Sequence, residues 1–158
     1  MDDIYFMKKA LKQAKVCLKY GEVPVGAVIV KDGKVIARGH NMRESQQMAS
    51  AHAEHIAIDR ACKKLGSWRL SGCTLYVTLE PCIMCAGAII NSRIDRVVIG
   101  ATDKKAGALG GMVDVLELPV NHRPQVTFGV EQDKCSKILK DFFARLRKGP
   151  AFNKNLKV

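Results

Sequence analysis

Long hydrophobic runs are missing from this sequence of 158 residues. The longest stretch without a charge, Pro81–Ser92, is far shorter than the roughly 20 apolar residues that a membrane-spanning helix needs. The amphipathic residues that follow Met1-Asp2-Asp3 also lack the apolar core of a signal peptide. We therefore expect a cytoplasmic protein that has no membrane partner.

A disulfide framework is absent as well. The six cysteines lack the regular spacing of small secreted domains, and only Cys82 and Cys85 form a Cys-x-x-Cys pair of the kind that binds metals. This usage suits a reducing compartment. The scattered cysteines are interpreted as small core residues or free thiols: Cys17, Cys62, Cys73 and Cys135.

Acidic residues are few relative to basic ones. The chain has 26 Lys and Arg against 15 Asp and Glu, which gives a formal net charge of +11 at pH 7. The excess is pronounced between Lys134 and Val158, where eight basic residues accompany one acid, Asp141. Such a balance favours an anionic partner, with nucleic acid first. A basic C-terminal flank suits a protein that binds an RNA backbone better than one that binds a free nucleobase.

Alternating helical and strand patterns predict an α/β fold. Helical periodicity, β-rich runs and the hairpin signal Asp32-Gly33 together indicate a mixed five-stranded sheet with helices on both faces, a three-layer α/β/α arrangement. The predicted helices are Ile4–Lys19, His52–Leu65, Ile83–Ser92, Val113–Leu116 and Gln132–Lys148. The predicted strands are Val25–Val30, Val35–Arg38, Cys73–Leu79, Arg96–Ile99 and Gln125–Val130.

One domain accounts for nearly the whole chain. The sequence has no internal repeat or interdomain linker, so we expect a single domain over residues 1–150. Gly149-Pro150 should end the last helix. The composition of the basic tail, residues 151–158, favours disorder.

Two short motifs carry the chemistry. His52-Ala53-Glu54 and the run from Pro81 to Cys85 place one imidazole and two thiols at the predicted starts of two helices. Three such ligands suit tetrahedral Zn²⁺ and leave its fourth position for water, as in catalytic sites. The His-x-Glu…Pro-Cys-x-x-Cys pattern is typical of zinc deaminases, so we expect residues 1–150 to form a zinc-dependent deaminase domain. Glu54 is then the group that moves protons between water, ring nitrogen and leaving amine.

Asn41 is the candidate for holding the base. It ends the second predicted strand in Gly39-His40-Asn41, and its side chain can both donate and accept hydrogen bonds. A simple turn residue is an equally good interpretation of Asn41 from these observations alone.

Several stretches of the sequence resemble the bacterial tRNA-specific adenosine deaminases, a branch of the cytidine-deaminase superfamily. The resemblance extends almost end to end. It rests on Glu-Val-Pro-Val-Gly-Ala at 22–27, Ala-His-Ala-Glu at 51–54, Thr-Leu-Tyr-Val-Thr-Leu-Glu-Pro-Cys at 74–82, Met-Cys-Ala-Gly-Ala at 84–88, Ser92-Arg93-Ile94, Asn121-His122-Arg123 and Asp141-Phe142-Phe143.

This resemblance implies a cytidine-deaminase-like fold and a specific reaction. The reaction is deamination of the wobble adenosine to inosine in the anticodon of an arginine tRNA. The resemblance also implies one zinc ion per subunit, no organic cofactor, and a homodimer whose site for the tRNA anticodon stem-loop draws on both subunits.

Residue roles follow from the same resemblance. His52, Cys82 and Cys85 correspond to the zinc ligands, Glu54 to the proton shuttle, and Asn41 to a residue that holds the target nucleotide. The positions that align with RNA-contacting residues are Arg43, Asp103, Lys105, Asn121, His122, Phe143 and Arg147. From the residues alone, Phe143 is equally a core aromatic beside Phe142, while Lys105 and Arg147 are equally solvated surface charges.

Two rival functions share parts of these motifs. A free nucleobase or nucleoside deaminase, of the guanine or cytosine type, has the same zinc site, although the basic C-terminus and Asn121-His122-Arg123 argue against it. A non-catalytic RNA-binding module could hold a structural zinc, but such a site has no need of Glu54. Measuring the zinc content and inosine formation on an RNA transcript distinguishes these functions.

Overall fold

A mixed five-stranded sheet forms the centre of the structure, a computed structural model that describes residues 1–148. The strands are β1 (Gly26–Lys31), β2 (Lys34–His40), β3 (Cys73–Leu79), β4 (Arg96–Ala101) and β5 (Gln125–Phe128). Their order in the sheet is β2-β1-β3-β4-β5; β1 is antiparallel to β2 and β3, whereas β3, β4 and β5 are parallel. The helices are α1 (Asp3–Cys17), α2 (Arg43–Gln46), α3 (Ala53–Leu65), α4 (Ile83–Asn91) and α5 (Gln132–Arg147).

Side chains on the central strands alternate between two buried layers, which confirms the predicted α/β/α arrangement. Val28 and Tyr76 pack with α1 on one face, and Cys135 brings α5 to the same layer. Ile29 and Val77 point to the opposite face, where they pack with residues of α3 and α4. This period of two is what a sheet covered on both sides requires.

Glycine at position 39 lets α3 approach the sheet closely. A Cβ atom at Gly39 would clash with the carbonyl oxygen of Ala53, and one at Gly26 would clash with that of Ala10 in α1. Because Ala53 begins α3, the contact at Gly39 places the N-terminal end of that helix directly beside the end of β2. His52 and Glu54 are thereby fixed next to Asn41.

Most predicted elements are confirmed to within two residues. Asp32 and Gly33 both have positive φ, 51° and 74°, as a two-residue hairpin turn requires. The predicted piece at 113–116 is a single 3₁₀ turn, Val115–Glu117, and the fifth strand ends early at Phe128. Helix α2 was not predicted, because its four residues are too few to show a period.

Two further predictions concern the C-terminus and the membrane. The helix end at Gly149-Pro150 and the tail 151–158 lie outside the described residues. Within residues 1–148, no helix combines the length and the apolar character that crossing a membrane requires.

Candidate active site

The starts of α3 and α4 bring the three predicted metal ligands together. His52 is the N-cap of α3, Cys82 is the N-cap of α4, and Cys85 lies in the first turn of α4. The His52 Nδ1 atom is 3.6 Å from Cys82 Sγ and 3.7 Å from Cys85 Sγ. One ligand atom from each of the three side chains lies within 4.8 Å of the other two. Residues thirty positions apart in sequence thus form one cluster.

These distances fit a tetrahedral zinc ion. Typical Zn–N and Zn–S bonds at the tetrahedral angle separate the nitrogen from each sulfur by about 3.6 Å. The observed separations agree with this value, and one imidazole with two thiols is a ligand set that suits zinc. His52 faces both thiols through Nδ1, so this nitrogen is the one positioned to bind a metal.

The cysteine pair already favours a thiolate. A hydrogen bond from Cys85 lowers the pKa of Cys82 to about 3, and the same bond raises the pKa of Cys85. The hydrogen bond with Cys82 also raises the pKa of His52. Thiolate is the metal-binding form of cysteine, so the lowered pKa of Cys82 favours binding of a cation. A divalent ion would also favour the thiolate form of Cys85.

Glu54 lies in the first turn of α3 and is almost completely buried. Burial raises the pKa of its carboxyl group; hydrogen bonds with its own backbone and with the Cys85 side chain oppose this rise. The contact with Cys85 places the carboxyl group beside the metal ligands. A buried carboxyl group with a raised pKa is suited to act both as a proton acceptor and as a proton donor.

A cavity of about 150 Å³ opens onto this cluster. Its lining residues come from five segments of the chain that are distant from one another in sequence. The predicted site residues that line it are Asn41, Arg43, His52, Glu54, Cys82 and Asp103, and the remaining lining residues are Val23, Val25, Ala53, Leu79, Glu80 and Ala106. The cavity therefore combines a metal-binding cluster, a buried acid and polar groups that could orient a ligand.

Asn41 has the turn role considered for it, and its contact with a base stays a prediction. Its side-chain amide donates to the Val23 carbonyl oxygen at 3.1 Å, and its side-chain oxygen accepts from the Arg43 backbone N–H at 3.1 Å. Asn41 therefore shapes the local turn and also lines the cavity. The second amide hydrogen and the second oxygen lone pair are the groups available to a ligand.

Sequence reasoning missed two buried carboxylates. Glu22 accepts hydrogen bonds from the Glu44 and Ser45 backbone N–H groups and from the Ser45 hydroxyl, at 2.8–3.0 Å. Glu80, 3% exposed, accepts three backbone N–H groups from the loop of residues 102–111. A signal for Glu80 was present, because an acid between an apolar strand and Pro81-Cys82 is unusual. Nothing in the local sequence marks Glu22.

The other predicted RNA contacts lie outside the cavity lining. Lys105 and Asn121 are exposed, and His122 makes a 2.7 Å hydrogen bond through Nε2 with the Ile94 carbonyl oxygen. Phe143 is 39% exposed beside the buried Phe142, so it is not a core aromatic. Arg147 is exposed in the last turn of α5. Their contacts with RNA stay predictions.

Similarity to known proteins agrees with this site. The MafB19-like deaminase family model matches residues 1–147. A tRNA-specific adenosine deaminase from Bacillus subtilis is 52% identical over 157 residues, which cover 98% of this chain and 97% of that protein.

Solved structures also superpose on this chain. One, from work on A-to-I editing by tRNA deaminases at the wobble position of transfer RNA, superposes with a TM-score of 0.81 at 44% identity and covers 85% of this chain and 99% of its own. A guanine deaminase from Nitrosomonas europaea superposes with a TM-score of 0.77 at 26% identity, covering 89% of this chain and 84% of its own. The predicted cytidine-deaminase-like fold is confirmed. With 52% identity to a relative across almost all of both chains, this chain belongs to the family of tRNA-specific adenosine deaminases.

Proposed function

We propose that this protein converts adenosine to inosine at the wobble position of a tRNA anticodon by hydrolytic deamination, with an arginine tRNA as the expected substrate. The observation that carries the proposal is the placement of buried Glu54 beside the His52, Cys82 and Cys85 cluster in one cavity. Membership of the tRNA-specific family supports RNA as the substrate, and the net charge of +11 supports it independently.

We assign the metal as one zinc ion per chain, held by His52 Nδ1 and by the sulfur atoms of Cys82 and Cys85. When bound with three protein ligands, zinc supplies a Lewis acid that lowers the pKa of water toward 7. The two helix starts add partial positive charge, which favours the thiolate ligands.

Glu54 carries the proton transfers. Its carboxylate takes a proton from the attacking water, delivers it to the ring nitrogen next to the amine-bearing carbon, and then assists departure of ammonia. Burial suits this role, because a raised pKa keeps the protonated form accessible during the reaction. Asn41, Arg43 and Asp103 line the cavity, and we assign them the role of holding the nucleotide.

A free-base deaminase is the second candidate. The superposition with the Nitrosomonas europaea guanine deaminase, at a TM-score of 0.77, favours it. The test is incubation of purified protein with tRNA transcripts, an isolated anticodon stem-loop, and free guanine, cytosine and adenosine, followed by nucleoside analysis. Inosine in the RNA alone supports the proposal. Turnover of free guanine or cytosine, with none in RNA, refutes it.

The basic end of α5 is expected to contribute to RNA affinity. Within residues 1–148, Arg145, Arg147 and Lys148 form no ion pair, so their charges are available for phosphates. Replacing all three with Ala should weaken tRNA binding and reduce the slope of log affinity against log salt by about 0.7–0.9 for each lost contact. Fluorescence anisotropy at several salt concentrations measures both quantities.

A matched control removes the same charge elsewhere. Lys34, Lys63 and Lys64 are exposed and lie at the ends of β2 and α3 remote from the cavity. Their triple Ala variant should keep the slope close to that of the wild type. Equal slopes for the α5 variant and the wild type would mean that the basic flank only keeps the protein in solution.

We also propose a cytoplasmic homodimer. The six cysteines within the described residues are all free thiols, which suits a reducing compartment. The second copy would cover exposed apolar residues at the start of α4, Ile83 and Met84, and in the adjoining segment, Met112 and Val113. That segment lies beside α4 because the Ala108 N–H donates to the Pro81 carbonyl oxygen at 2.8 Å. Light scattering after size-exclusion chromatography tests the assembly.

A further inference from the structure

Glu80 is a buried carboxylate that the proposed mechanism leaves without a role. Its Oε1 atom accepts the Asp103 backbone N–H at 3.1 Å, and its Oε2 atom accepts those of Leu109 and Gly111 at 3.0 and 2.8 Å. All three donors belong to the loop of residues 102–111. A carboxylate that receives several backbone N–H groups in a buried setting holds them strongly.

The loop is also attached to the metal-binding turn, by which we mean residues 80–85 with the ligands Cys82 and Cys85. The Ala108 N–H donates to the carbonyl oxygen of Pro81, the residue between Glu80 and the ligand Cys82. Two glycines make room for this arrangement: a Cβ at either Gly107 or Gly111 would clash with the Glu80 carboxylate and with the Asp103 carbonyl oxygen. Loop and turn therefore form one packed unit around the Glu80 side chain.

Asp103 is the residue of this loop that the arrangement places at the cavity. Its Oδ1 atom accepts the Lys105 and Ala106 N–H groups at 3.0 and 3.2 Å, which fixes the turn that follows. Its backbone is held by Glu80, and its side chain lines the cavity. The position of Asp103 therefore depends on Glu80.

We infer that Glu80 is a positioning residue: it holds the loop of residues 102–111 against the metal-binding turn and thereby fixes Asp103 for the nucleotide of the substrate. The inference rests on the proposed function for its substrate. Glu80→Gln exchanges an acceptor oxygen for an N–H₂ group that cannot accept the loop N–H groups. The loop should shift while the ligands, which belong to the two helix starts, keep the metal.

The expected result is a change in substrate binding more than in chemistry. Glu80→Gln should raise KM for the anticodon stem-loop by about tenfold or more, since small displacements of positioning groups have effects of this size. It should lower kcat far less and keep the metal content. Glu80→Asp, which keeps a carboxylate but withdraws it from the loop by one methylene, should raise KM in the same way if Glu80→Gln does not fold.

A double-mutant cycle with Asp103→Asn separates positioning from general destabilisation. If Glu80 acts through Asp103, then Glu80→Gln raises KM much less in the Asp103→Asn background than alone. Glu22→Gln is the matched control, because Glu22 also accepts three hydrogen bonds but holds α2 instead of the loop. Its effect should be the same in both backgrounds. An equal effect of Glu80→Gln in both backgrounds, or a loss confined to kcat, would overturn the inference.

Failure of the proposed function can be distinguished from failure of the inference about Glu80. In that case the wild-type enzyme makes no inosine in RNA, and the loop is followed by amide hydrogen exchange instead. Glu80→Gln should accelerate exchange in residues 102–111, whereas Glu22→Gln should not. Unchanged exchange in that loop for Glu80→Gln would contradict the inference.

Discussion

Replacing Glu54 with Gln is expected to lower kcat for inosine formation by about 10⁴-fold or more. A single general acid–base step contributes about 10²–10⁴-fold, and one side chain here serves several proton transfers in succession. Gln keeps the size and polarity of the buried side chain but cannot take up or release a proton. Metal content and tRNA affinity should therefore remain near wild-type values, because Glu54 is not a ligand in the proposed site. Single-turnover assays with nucleoside analysis measure the loss.

The cavity contains two other acids that could in principle replace Glu54. The Glu80 carboxylate accepts hydrogen bonds from three backbone N–H groups, and one side-chain oxygen of Asp103 accepts two. These hydrogen bonds hold both side chains to the backbone of the loop, whereas Glu54 lies beside the metal ligand Cys85. Asp59→Asn, which removes an exposed acid from the same helix, is the control and should leave kcat unchanged. Near-normal turnover by the Glu54→Gln variant would assign the proton transfers to another group.

The metal cluster could be predicted from sequence because its geometry is local. His52 and Glu54 lie within one turn of α3, and Cys82 and Cys85 within one turn of α4, so each half of the cluster follows from helix geometry. The two halves were joined by the known His-x-Glu…Pro-Cys-x-x-Cys pattern of zinc deaminases, because local geometry alone does not bring the two helix starts together. The alternation of apolar residues likewise determined the sheet and its two helical layers.

The supporting groups could not be predicted in the same way. Glu80 contacts residues 23 to 31 positions further along the chain, and Glu22 contacts residues 22 and 23 positions away. Such contacts depend on how loops fold over one another, which leaves no period in the sequence. The predicted RNA contacts on Lys105, Asn121, His122, Phe143 and Arg147 depend on a partner molecule, and local patterns do not describe partners.

Removing one metal ligand is expected to abolish zinc binding and activity together. His52→Ala, Cys82→Ser and Cys85→Ser each leave two ligands of three, and zinc affinity should fall by more than the roughly 10- to 100-fold typical of changes outside the ligand set. Metal analysis should detect about one zinc per wild-type chain and little in the variants. Cys62→Ser, which changes a thiol of α3 away from the cluster, is the matched control and should retain zinc.

Stability should change with the metal because the ion joins two helix starts that the chain connects only through a long segment. Binding to the folded state alone contributes about 4 kcal/mol when free zinc is a thousandfold above its Kd, and for a chain of this size that corresponds to a Tm shift of about 10 °C. Chelation should lower the Tm of the wild-type protein by about this amount and leave that of Cys82→Ser almost unchanged. Full zinc occupancy in both His52→Ala and Cys82→Ser would show that the cluster is not the metal site, and an equal effect of chelator on wild type and Cys82→Ser would place the stabilising ion elsewhere.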